Sequence, residues 1–176
     1  MKFPTLQTAV PFVVMGLAAA LVPLTALAWR SYGPTLLINE TPSEPVGFYH
    51  LVAHQPQDYR RGMYVVFPVP EDLRALVYGR RWMRDGIPFL KELIGLEGDH
   101  VCIFADRLEV NARTVGPVFA VDRTGAPLPQ HPGCFRVPEG GFFAASQYLD
   151  KSFDGRYFGA LPLGILAGEA RPLWTF

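Results

Sequence analysis

Residues Phe89–Asp99 read FLKELIGLEGD. In an extended chain successive side chains point to opposite sides, so Phe89, Lys91 and Leu93 share one face. If that face is inward, the Lys91 ammonium lies among apolar neighbours, which favours the neutral amine and lowers its pKa toward working pH. A neutral amine is a usable general base. The competing reading is a surface lysine that snorkels from an edge strand.

The surroundings of this segment follow the same pattern. Thr35–Asn39, Val46–Ala53, Met63–Phe67, His100–Ala105, Leu108–Asn111, Cys134–Val137 and Gly141–Ala145 are short β-branched or aromatic runs, and with Phe89–Leu96 they predict eight strands. The 17 Gly and 17 Pro among 176 residues suit tight turns better than long helices. A mainly β domain with one short helix is expected over residues 31–176. The helix is Glu71–Arg84, where Leu73, Leu76, Val77 and Trp82 fall near helical spacing. Its Arg80, Arg81, Trp82 and Arg84 could meet anionic lipid headgroups, but a solvated helix face is the plainer reading.

Residues 1–30 form a separate N-terminal segment. No ionisable side chain lies between Lys2 and Arg30, and residues 10–29 are twenty apolar or small positions that would span roughly 30 Å as a helix. They read either as a retained membrane anchor or as a signal sequence cleaved after the Ala26-Leu27-Ala28 pattern. Both deliver the rest of the chain across the membrane. The 16 Lys+Arg and 16 Asp+Glu cancel, and since both charges of the first segment are basic the remainder is slightly acidic. It lacks the basic field that nucleic-acid binding draws on, so no direct nucleic-acid partner is expected. Cys102 and Cys134 are the only cysteines and form no C-x-x-C pair. One structural disulfide and two buried thiols both fit them.

Several chemistries are excluded. There is no H-E-x-x-H, no G-x-S-x-G elbow, no phosphate-binding glycine loop and no dinucleotide fingerprint. His50 and His54 lie four apart in a predicted strand, where that spacing does not converge on a metal. No cofactor or metal is expected. Ser43 stands between Pro42 and Pro45 in TPSEPVGFY, where the prolines restrict the backbone and hold the hydroxyl in one orientation. That rigidity suits a nucleophile, although a serine in a proline-rich turn is ordinarily just a turn residue.

Taken together, TPSEPVGFY around Ser43, LKELIGLEGD around Lys91 and the late box SFDGRYFG at residues 152–159 resemble the bacterial type I signal peptidases. In particular they resemble the TraF-type peptidases of conjugative transfer systems. The resemblance implies a mainly β fold carrying a Ser/Lys dyad, with Ser43 as nucleophile and Lys91 as general base. It further implies that Ser152 positions the lysine amine, that Thr41 supplies a side-chain oxyanion donor, and that Asp154 and Arg156 are a structural pair. On an extended chain that pair shares a face with Ser152 and braces it. The chain departs from the housekeeping enzymes at Pro42 and Glu44 around the serine, at Glu97 before Gly98-Asp99, and at Gly155, which replaces a second serine in the late box. These departures favour the conjugative branch.

The implied function is a periplasmic serine endopeptidase that processes, and could cyclise, a pilin precursor at the inner membrane, among other proteins of the transfer apparatus. It would be anchored there, or released after cleavage near Ala28. The alternatives are a non-catalytic periplasmic scaffold of that apparatus and a general leader peptidase.

Overall fold

In the computed structural model, residues 35–176 are described; the expected membrane or signal segment at residues 1–30 lies outside them. Among the described residues no helix is long and apolar enough to cross a membrane. The described residues form eleven strands: β1 (Thr35–Asn39), β2 (Gly47–Val52), β3 (Tyr64–Phe67), β4 (Phe89–Leu96), β5 (His100–Ile103), β6 (Arg107–Val110), β7 (Arg113–Pro117), β8 (Gly133–Arg136), β9 (Gly141–Ala144), β10 (Leu161–Pro162) and β11 (Gly168–Thr175). Seven make one sheet in the order β1-β2-β11-β3-β4-β9-β10, and four make a second in the order β7-β6-β5-β8. The fold is mainly β, as expected.

Strand β4 is buried along both faces, which is why its sequence runs nearly continuously apolar. Phe89 and Leu93 enter a core with Val65, Phe67, Phe142 and the helix residues Leu73 and Val77. Ile94 turns the other way, into a core with Phe143 of β9 and with Val101, Leu108 and Val137 from the second sheet and its connections. Beside β4 the turn at Gly98-Asp99 is fixed by charge. Burial alone would push the Asp99 carboxyl up, but hydrogen bonds from Arg61, the Leu96 N–H and Asn111 hold it at about 2.

The structure corrects the sequence reading at three places. Helix α1 is Glu71–Gly79, not Glu71–Arg84. It ends because Arg81 takes a left-handed conformation (φ 56°), with its own N–H bonded to the Tyr78 carbonyl and the Trp82 N–H to the Val77 carbonyl. Second, there is another helix, α2, over Gly155–Phe158. Third, three strands were not expected: β7, β10 and β11. Of these β11 is central, pairing with both β2 and β3, and its Pro172 is accommodated where the register with β2 shifts between Pro172 and Trp174.

Of the two readings open for the cysteines, the structure has the disulfide Cys102–Cys134. They face each other in the register of β5 against β8. The bond closes a separation of 32 residues, worth about 3–4 kcal/mol in the chain-entropy account.

Candidate active site

Ser43 sits in the connection between β1 and β2, and Lys91 on β4. In a flat sheet three strand spacings, about 14 Å, would separate β2 from β4, so the connection must fold across a coiled sheet to meet it. It does: Lys91 Nζ lies 2.6 Å from Ser43 Oγ.

The connection is held by side chains that clamp its carbonyls. Asn39, buried at the end of β1, places Nδ2 3.0 Å from each of the carbonyl oxygens of Thr41, Glu44 and Pro45. Its Oδ1 accepts from the Thr41 N–H (3.1 Å) and the Thr41 hydroxyl (2.8 Å). The Tyr49 hydroxyl donates to the Pro45 carbonyl, and the Ser146 hydroxyl to the Ser43 carbonyl. Ser146 in turn accepts from the N–H groups of Tyr148 (3.1 Å) and Leu149 (2.9 Å). Rigidity at Ser43 therefore comes from buried hydrogen bonds as much as from the flanking prolines.

Lys91 is only 4% exposed. Burial pushes its amine down from the ordinary lysine value; the carboxyls of Asp154 and Glu44 oppose that shift and Arg156 adds to it. Glu44 is 1% exposed. Its Oε1 accepts from the N–H of Glu92, 3.3 Å away, linking the residue after Ser43 to the residue after Lys91. Burial raises the Glu44 carboxyl to about 7 against the pull of Lys91. With its carboxyl raised to about 7, Glu44 carries only part of a negative charge at neutral pH, so it opposes the burial of the Lys91 amine less than an ordinary glutamate would.

The other residues singled out from the sequence divide. Thr41 Oγ1 is 3.5 Å from Ser43 Oγ, within the same loop. Ser152 is buried, but its hydroxyl makes no hydrogen bond among the described residues, so the contact expected with the Lys91 amine is not made. Asp154 and Arg156 do not share an extended face with Ser152. Asp154 caps α2, accepting from the Arg156 N–H at 3.2 Å, as an aspartate at a helix start does. What the pair braces is Ser146: the Asp154 carboxylate accepts its N–H (3.0 Å) and the Arg156 guanidinium donates to its carbonyl. The glycine at 155 has a steric cause, since a Cβ there would stand 2.7 Å from the Ala144 carbonyl oxygen.

His54 binds Glu169 at 2.7 Å rather than joining His50. Among the described residues His100, Cys102 and Cys134 are close enough to share an ion, but the disulfide consumes both sulfurs. Of the arginine cluster, Arg80 is engaged by Asp122 at 2.9 Å, while Arg84 reaches the exposed Glu40 only at 3.7 Å.

Asn39, Glu44 and Ser146 were not foreseen as site residues. Ser146 belongs to a chain with only four serines, and Asn39 directly precedes a turn, where asparagine often bonds local backbone. Asn39→Ala is expected to lower kcat/KM about 10- to 100-fold by loosening the Ser43 hydroxyl, while the pH dependence stays put because Lys91 keeps its burial. Steady-state assays across pH on wild type and variant check this.

Ser43, Lys91 and Ser152 open onto a cleft of about 390 Å³ whose walls include Val77, Trp82, Phe89 and Phe153. A hydroxyl beside a desolvated amine, in an apolar cleft, is equipment for acyl transfer. The chain belongs to the signal peptidase family, peptidase S26, whose model matches residues 6–174; membership implies serine peptidase activity. Within that family it is similar to the conjugal transfer protein TraF of Agrobacterium fabrum (strain C58 / ATCC 33970), 31% identical over 79% of this chain and 82% of that one. It is also similar to a plasmid transfer protein TraF of Escherichia coli, 28% identical over 97% and 98%, and to a probable signal peptidase I-2 of Synechocystis, 26% identical over 94% and 68%. Among solved structures, a signal peptidase I of Enterococcus faecalis V583 matches 64% of this chain and 96% of its own, with TM-score 0.39 and 23% identity.

Proposed function

We propose that this protein is a serine endopeptidase of a plasmid conjugative transfer system, cleaving a pilin precursor on the periplasmic side of the inner membrane through Ser43 and Lys91. The observation that carries the reading is the 2.6 Å approach of a buried, charge-disfavoured amine to the Ser43 hydroxyl. The similarity to TraF proteins supports the conjugative role. The apolar run at residues 10–29 supports a membrane location, and the disulfide suits an oxidising compartment.

Neutral Lys91 accepts the Ser43 proton as Oγ attacks the scissile carbonyl carbon. The Ser43 N–H, with the Thr41 hydroxyl once that leaves Asn39, faces the developing oxyanion. The tetrahedral intermediate collapses as the amine leaving group takes the proton from Lys91, leaving an ester on Ser43. Water then releases an acid, or an α-amine attacks the ester and forms a new peptide bond. The transfer-system reading includes the second outcome, which would close the pilin into a ring. Mass spectrometry of the pilin made with and without the enzyme tests this. Trimming shows as loss of a terminal fragment, and ring closure as a product one water lighter than the trimmed linear chain. Unaltered precursor in both samples refutes the proposal.

A general leader peptidase is the second reading, favoured by the similarity to the Synechocystis protein; efficient cleavage of unrelated exported preproteins would support it.

A further inference from the structure

The cleft holds an uncancelled charge. Five ionisable side chains line it besides tyrosine: Arg80, Lys91, Arg123 and Lys151 are bases, and Asp122 is the one acid. Asp122 is fully used. Its Oδ1 accepts from the N–H and hydroxyl of Thr124 (2.8 and 2.7 Å) and the Ala126 N–H (3.0 Å), and its Oδ2 from Arg80 (2.9 Å). Arg80 also donates to the Pro127 carbonyl at 2.8 Å. Arg80 and Asp122 thus cancel each other and pin the loop between β7 and β8 to the end of α1. Lys91 is buried and its charged form is disfavoured by that burial.

Arg123 and Lys151 are left. Both are exposed, and neither makes an ion pair among the described residues. Lys151 adjoins Ser152 in the chain, and its ammonium lies 5.2 Å from the centre of the Phe119 ring on the same loop that carries Arg123. Two cations on the rim of an apolar cleft focus a positive potential into it, because low-dielectric walls do not dissipate the field. Nothing in the cleft offers the matching anion, so a ligand has to bring it.

We infer that the cleft selects a peptide carrying a carboxylate within a few residues of the bond cleaved, held by Lys151 and Arg123. The inference rests on the reading that Ser43 and Lys91 cleave a peptide here. The anion has two sources, an acidic side chain or a free C-terminal carboxylate. Either would draw the substrate in through a charge that a neutral peptide lacks, acting on binding rather than on the chemical step.

The test uses three synthetic peptides of one sequence with alanines before the central bond. One has glutamate on either side of that bond and an amidated end, one has glutamine there and a free carboxylate end close by, and one has glutamine and an amidated end. Binding to the full-length Ser43→Ala protein, followed by fluorescence anisotropy, separates recognition from cleavage. At low salt at least one carboxylate peptide should bind about fivefold more tightly than the neutral one, and which of them does so identifies the source. The advantage should vanish in Lys151→Gln/Arg123→Gln and fade as salt is raised on the unaltered surface. In the active enzyme the same double variant should raise KM for the preferred peptide and leave kcat nearly unchanged. Equal binding of all three peptides, or an advantage that survives the double variant, overturns the inference while leaving the Ser43/Lys91 reading intact. Binding without cleavage by the active enzyme overturns that reading and spares the carboxylate preference.

Discussion

Ser43→Ala and Lys91→Ala should each reduce peptide-bond cleavage by at least about 10³-fold, with the fold unchanged by circular dichroism. Ser43 is half-buried and its methyl replacement costs little packing. Lys91 is different, because its whole side chain is buried, so Lys91→Met is the better-matched control: it keeps most of the volume and removes the amine. The two losses should not add, since either change removes the same proton transfer. In the wild-type enzyme kcat/KM should climb with pH through one ionisation, because only the neutral amine accepts a proton. Burial lowers that pKa, so the climb should fall below the range of an exposed lysine. Glu44, at about 7, draws the amine pKa back up as it ionises, flattening the climb. Substantial cleavage by Ser43→Ala or Lys91→Met would end the proposed mechanism.

What the sequence disclosed about this site depended on whether a residue's role is written in local pattern. Alternation along Phe89–Leu96 places Lys91 on the Phe89/Leu93 face, and the strand occupies those same residues. The eight expected strands all exist with ends shifted by at most two residues. By contrast β11 holds Glu169, Arg171 and Pro172 in a strand that is exposed over much of its length, so no apolar period marks it. The late box misled for a related reason. Alternation was assumed for Ser152, Asp154 and Arg156, but an aspartate followed by glycine can cap a helix, and the tight approach of Gly155 to β9 makes that turn fit. Asn39, Glu44 and Ser146 show no pattern because their work is to satisfy backbone groups of a loop whose path is set by the tertiary fold. The disulfide was open for the same reason: only the pairing of β5 with β8 brings its two cysteines together.

The largest stability change should come from Arg156→Ala. The guanidinium is 1% exposed and lies among oxygens: the Asp150 carbonyl at 2.7 Å, the Ser146 carbonyl, and the Asp154 carboxylate at 3.6 Å. Truncation strands a buried carboxylate and two carbonyls and leaves a void, for a loss of about 3–5 kcal/mol by denaturant unfolding. Arg156→Lys should recover only part, since one ammonium cannot match a planar fork that spans two carbonyls. Removing both charges, as Asp154→Asn with Arg156→Met, should cost less than the sum of the single changes, because most of either single loss is the partner left unpaired. The activity of that double variant then separates two roles. Ser146 takes an N–H bond to Asp154 and a carbonyl bond from Arg156, and gives its hydroxyl to the Ser43 carbonyl. If the pair serves the nucleophile through Ser146, kcat should fall about tenfold even where the double variant is fully folded; wild-type kcat in a folded double variant would reduce the box to a stability element alone.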